Sequence, residues 1–240
     1  MNMSTMLTRI KLKLGLMNIA SPMENLDETI IWVIQNVSLP VFSTYHPYKQ
    51  SLTINTNDLE RLDKGGTYEA YLLPEFKNMK LLYVFDVRYD ETCLSGLGYY
   101  GGGFPLLGGS TINQAMLANA GAGLASYMIP KMTFKWEPPR KLYVYNAYSS
   151  TKVVIDMGFE HDKSLATIED SAFESFFKLA LLDVKENLYP TYKQYTDLQT
   201  AYGNINIKID DWADAENERK ELINQWDGVF MLDNQTLYYI

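Results

Sequence analysis

Seven of the 14 residues from Gly96 to Gly109 are glycine, at positions 96, 98, 101, 102, 103, 108 and 109. Glycine loses more backbone freedom on ordering than any other residue, so helices and strands must lie on either side of this stretch. A glycine-rich inserted loop at about 94–110 is therefore expected within a single domain spanning 1–240, because no linker of disordered composition divides the chain. Such loops commonly carry contacts. Tyr99, Tyr100 and Phe104 are the candidate site residues, expected to act as aromatic anchors of an assembly interface.

Two phosphate-binding outlines occur here, and both lack what gives them meaning. Gly96-Leu97-Gly98-Tyr99-Tyr100-Gly101 matches G-x-G-x-x-G, but Gly102, Gly103 and Pro105 follow where a helix should open. Gly103 to Ser110 resembles a phosphate loop with Gly109 in place of the lysine. No cofactor is expected.

Charge narrows the partners. The chain carries 29 Asp and Glu against 21 Lys and Arg, a formal charge of −8, which disfavours nonspecific adhesion to nucleic-acid phosphates or anionic membranes. Arg9, Lys11 and Lys13 are not followed by an apolar run of signal-peptide length, and Gln114 to Ile129 is too short and polar to span a bilayer. No membrane association or export is expected. Cys93 is the single cysteine, and His46 and His161 are the only histidines, so no transition-metal ligand set is expected and both histidines read as structural. Paired carboxylates such as Asp210 and Asp211 read as a solvated helix start rather than an acid/base pair. The 18 tyrosines are the unusual feature, since amphipathic rings suit large, partly wet protein contacts.

Periodicity gives the elements. Leu26, Ile30, Ile31, Val33, Ile34 and Val37 recur at helical spacing after Asn25 or Asp27, and Pro40 is expected to end that helix. Val41 to Tyr45 and Ser51 to Asn55 read as extended, followed by a polar loop through Lys64, Gly65 and Gly66. Thr67 to Leu73 and Lys80 to Arg88 read as successive strands that could pair as a hairpin. Ser110 starts a small-residue helix to about Met128, and Leu142 to Tyr145 with Lys152 to Met157 read as a second hairpin through Asn146 to Ser150. Phe173, Phe176, Phe177, Ala180, Leu181, Val184 and Leu188 share one face of a helix ending near Pro190. Asn204 to Ile209 alternates as a strand would, Asp210 caps a last helix to Trp226, and Val229 to Ile240 is strand-like. The fold class is α+β: antiparallel strands packed with about four to five helices, plus the glycine-rich loop.

One combination of segments goes further. A basic start ends in Leu14-Gly15, and the helix Leu26 to Val37 leads into Phe42-Ser43-Thr44-Tyr45-His46-Pro47-Tyr48. Later come Trp136-Glu137-Pro138-Pro139-Arg140-Lys141-Leu142-Tyr143-Val144-Tyr145, a strand to Asp156, a helix around Ala172 to Leu188, Ile205 to Asp210, and a terminal helix with Arg219 to Leu222. Over roughly residues 7–48 and 134–226 this order resembles the neck, or head-to-tail connector, structural proteins of tailed bacteriophages. The resemblance implies a non-enzymatic virion subunit, made in the host cytoplasm and assembled as a homo-oligomeric ring under the portal. Its implied partners are virion proteins on the portal and tail sides, with DNA in transient passage. An adhesion module of the tail or baseplate, and a carboxylate-dependent hydrolase, are the competing expectations.

Overall fold

A computed structural model describes residues 2–17, 23–64, 68–76, 79–90, 132–145, 152–194, 198–200, 203–205 and 209–234. The chain falls into two compact units, one built from Met1–Tyr48 with Phe159–Ile240 and the other from Lys49–Gly158. The expected helix at 110–128, the loop at 94–110 and the turn at 146–150 lie outside the described residues.

The first unit is helical. Helix α1 (Met3–Lys13) opens with Asn2, whose side chain accepts hydrogen bonds from the Thr5 amide at 3.0 Å and the Thr5 hydroxyl at 2.7 Å. It closes on Gly15 at φ +72°, with Leu16 N–H donating to Lys11 O at 2.9 Å and Gly15 N–H to Leu12 O at 3.2 Å. That paired arrangement is a Schellman stop, and its left-handed residue explains the Leu14-Gly15 sequence. Helix α2 (Leu26–Val33) continues into a π segment (Ile34–Ser38) and then helix α3 (Leu39–Tyr45).

Pro40 therefore does not end the helix, and Val41 to Tyr45 is helical rather than extended. The wider π turn supplies the reason, since Leu39 N–H reaches back to Ile34 O and the ladder is already reset where proline could neither donate nor clear the carbonyl four residues back. The polar side chains help: Ser43 Oγ donates to Leu39 O at 2.7 Å and Thr44 Oγ1 to Pro40 O at 3.0 Å.

Helix α4 (Asp170–Lys193) likewise runs through Pro190 instead of stopping there. Its buried face holds Phe173, Phe176, Phe177, Ala180, Val184 and Leu188, as the spacing predicts, with Leu181 partly buried beside them. Helix α5 (Ala215–Asn234) follows a 3₁₀ turn at Asp210–Trp212, so Asp210 does not cap it, and it continues past Trp226. The segment 229–234 is thus helical rather than strand-like, because a helix already paired to α4 needs no β-propensity to propagate. Met6, Ile10, Ile30, Ile34, Leu39 and Phe42 pack with α4, Trp212, Ala215 and Leu222 in one apolar core.

The second unit carries the sheets, with β1 (Tyr48–Asn55) and β7 (Lys152–Phe159) passing into the first at one end. Strands β1, β7 and β4 (Leu81–Tyr89) form a three-stranded sheet in the order β1-β7-β4. A four-stranded antiparallel sheet has the order β2-β3-β6-β5, from Glu60–Lys64, Tyr68–Leu72, Lys141–Tyr145 and Thr133–Glu137. Neither expected hairpin forms. β6 has both edges occupied by β3 and β5, so β7 pairs elsewhere, and β4 joins β7 rather than β3 for the same reason. Strand β2 replaces the expected polar loop up to Lys64. In the helical unit, β8 (Leu198–Thr200) and β9 (Gly203–Ile205) make a small ladder, with Asn204 and Ile205 of the expected strand in β9 and residues 206–208 outside the described residues.

Candidate functional site

In an antiparallel ladder, residues directly opposite one another share a face. The pairs Tyr68↔Tyr145, Ala70↔Tyr143, Lys135↔Tyr143 and Glu137↔Lys141 therefore put three tyrosines and two lysines on one side of the four-stranded sheet. Tyr68 sits 6.0 Å from Tyr143 and 5.9 Å from Tyr145 by ring centroids. Each of two phenols donates to a carboxylate, Tyr68 to Asp63 at 3.0 Å and Tyr143 to Glu137 at 3.2 Å. Those acceptors raise both phenol pKa values above the ordinary tyrosine range. Lys135 donates to Glu137 at 2.7 Å and holds that carboxyl below its usual value. The rings are half-buried and their polar ends reach water, the arrangement expected of a sheet face that meets another protein.

The opposite face is closed. Tyr71 and Leu142 are buried there, and Glu69, 7% exposed, accepts from the Tyr71 hydroxyl and from Arg61 at 3.3 Å. Burial is the first cause raising the Tyr71 pKa, with the Glu69 hydrogen bond adding to it. Glu69, Arg61 and Tyr71 thus hydrogen-bond one another across β2 and β3, while the buried Trp136 Nε1 on the same face has no partner among the described residues.

The helical unit carries a second exposed feature. Of the four tryptophans, Trp136 and Trp226 are half-buried and Trp212 is buried, whereas Trp32 is 57% exposed. Leu12 at 65% and Met17 at 44% are exposed in the same unit. Lys11 Nζ lies 2.7 Å from Asp27 Oδ1, tying the last turn of α1 to the first turn of α2, and Met17 lines a shallow hollow with Lys11, Asp27 and Glu28. Trp32 is one turn beyond Glu28 on α2. The sequence pattern contained this signal, since Trp32 falls off the stripe of Leu26, Ile30, Val33 and Ile34.

The two histidines come together inside the helical unit. His161 Nε2 donates to His46 O at 2.7 Å, its Nδ1 accepts from Thr167 Oγ1 at 2.9 Å, and its backbone N–H donates to Ser43 Oγ at 3.1 Å. Phe42 stacks on His46 at 4.9 Å, and Trp226 meets the His46 ring edge-on at 5.2 Å. Burial lowers the His161 pKa, outweighing those hydrogen bonds. Both ring nitrogens of His161 are engaged in holding α3 and the turn before α4, which is a structural role.

Tyr99, Tyr100 and Phe104 lie outside the described residues. Asp210 and Asp211 are exposed on their 3₁₀ turn. Among the described residues no group of three His, Cys, Asp or Glu side chains could hold a metal ion, and no helix is long and apolar enough to cross a membrane. A family model described as bacteriophage ring protein matches residues 1–237. No curated protein matches the chain.

Proposed function

From the premise that the chain belongs to the bacteriophage ring protein family, we propose that it is the subunit of a ring in the neck of a tailed phage, beneath the portal and around the DNA passage. The observation that carries this reading is the family match across residues 1–237. Two physical features support it. A charge of −8 disfavours adhesion to passing phosphates, and the tyrosine face with the Trp32 surface gives a copy two chemically different places to meet neighbours. Virion proteins on the portal and tail sides are the partners in this reading, and no catalytic step is assigned.

Immunogold labelling of intact virions with antibodies to this chain tests the position. Label at the junction of head and tail is expected, whereas label at the distal tail tip, or none on purified particles, overturns the neck assignment. In this reading Tyr99, Tyr100 and Phe104 are also assembly contacts. Replacing all three with Ser is expected to leave the isolated subunit folded and to lower its incorporation into particles by tenfold or more, the scale of a lost hot spot. Incorporation at the wild-type level overturns that role.

A further inference from the structure

The stripe by which α5 and the turn before it meet the helical core is apolar except at one position. Trp212, Ala215 and Leu222 are buried and Trp226 is half-buried against that core, and Arg219 stands among them, so that residues 212, 215, 219, 222 and 226 alternate steps of three and four. Such a stripe nearly repeats along its own length. A slip of α5 along α4 by one turn brings Ala215 or Leu222 to the place of Arg219, and a slip of two turns, about 10.5 Å at 1.5 Å per residue, brings Trp226. The hydrophobic effect is non-directional, so apolar burial by itself discriminates poorly between such registers. We infer that the pair Asp183 and Arg219 sets the register of α5 on α4.

Asp183 is fully buried on α4, Arg219 Nε donates to its Oδ1, and Oδ2 has no partner among the described residues. The amide of Asn187 does not help the carboxylate, since its Nδ2 donates at 3.0 Å to the Asp183 backbone carbonyl. In each slipped register an apolar side chain faces Asp183, and an interior charge loses its one cation, a large penalty for a native state that is only marginally stable. Glu186, 3.9 Å from the same guanidinium nitrogen, is 44% exposed; it keeps its hydration in every register and selects none. The pair therefore acts as a single polar position does in a coiled-coil seam, fixing alignment at a cost in stability. Two aromatic contacts report that alignment from either end of the stripe. The Trp212 ring lies 5.5 Å from Tyr192 on α4, and the Trp226 ring lies 5.2 Å from His46 at the end of α3.

Fluorine NMR of the full chain labelled with 5-fluorotryptophan reads all four tryptophans at once, each line assigned by its Trp→Phe variant. Wild type is expected to give one line per tryptophan. In Asp183→Leu/Arg219→Met the lines of Trp212 and Trp226 are expected to split, the second of each carrying about a tenth or more of the intensity, while those of Trp32 and Trp136 stay single. Leu222→Val trims the same stripe and keeps the pair; it is expected to lower the urea midpoint and leave every line single, which separates a lost register from loosened packing. Single lines in the double variant overturn the inference and leave the register to side-chain shape. Equal splitting in Leu222→Val, or split Trp212 and Trp226 lines in wild type, overturns it as well. A double variant that circular dichroism shows to be unfolded also overturns it, since the pair would then be required for folding itself and not for the choice among registers.

Discussion

Asp183 on α4 is fully buried and accepts a hydrogen bond from Arg219 Nε on α5. Its second oxygen has no partner among the described residues, and Glu186 stands 3.9 Å from the same guanidinium nitrogen. The carboxylate depends on one cation.

Arg219→Met is therefore expected to destabilise the helical unit by about 3–5 kcal/mol, because it strands a charge in the interior. The double variant Asp183→Leu/Arg219→Met is expected to recover most of that loss, since it removes both desolvated charges together. Urea unfolding midpoints measure both. A single variant as stable as wild type would show that water reaches Asp183.

His161 makes stability depend on pH. Its folded pKa is lowered from 6.5 by burial, so above 6.5 the group is neutral in both states and its contribution is complete. As pH falls through 6.5 toward the lower folded value, the unfolded chain takes up the proton first and stability declines. The expected outcome is a smaller loss of stability between about pH 7.5 and 5.5 in His161→Gln than in wild type, across the ordinary histidine range. Parallel curves for the two proteins would remove His161 as the cause.

Gly15 adopts φ +72° with nothing within 4 Å of where a Cβ would sit. Its requirement is conformational rather than steric. Gly15→Ala is expected to cost about 1 kcal/mol through the left-handed backbone, and Gly15→Asn less, since asparagine tolerates that region better. Thermal melts of the two variants give the order.

Gly228 offers the opposite case, being exposed inside α5 with open space where an alanine methyl would project and no positive φ. Gly228→Ala is expected to raise stability by roughly 0.5–1 kcal/mol, the difference in helix propensity. An unchanged or lowered melting temperature would argue that the helix does not persist past Trp226.

The parts of this fold that were legible in the sequence are those set by local periodicity. The apolar face of α4 could be read from Phe173 to Leu188, because a 3.6-residue repeat and a buried stripe are the same fact seen twice. Strand pairing was not legible. Leu142 and Val153 belong to adjacent strand-like segments, yet which edges they use depends on β3 and β5, remote in sequence. Pro40 does not end the helix because the π turn at Ile34–Ser38, which the apolar spacing does not announce, resets the hydrogen-bond ladder just before it. For the candidate surfaces, Tyr143 and Tyr145 were recognisable as sheet-face residues, but their meeting with Tyr68 and Asp63 requires the register of β2, β3 and β6.

The division of the helical unit between residues 1–48 and 159–240 has a consequence during translation. Met6, Ile10, Ile30 and Phe42 emerge early, whereas Phe176, Val184 and Leu222, which complete their core, emerge only after the whole sheet unit has been made. At ribosomal rates of about 5–20 residues per second the nascent chain carries an uncovered apolar helix surface for on the order of ten seconds. The sheet unit can close first, on the tether of the ribosome, and the chain is then a client for holding chaperones until α4 arrives. Ribosome-bound fragments ending before residue 170 should accordingly recruit such chaperones, and release them once α4 and α5 have cleared the exit tunnel.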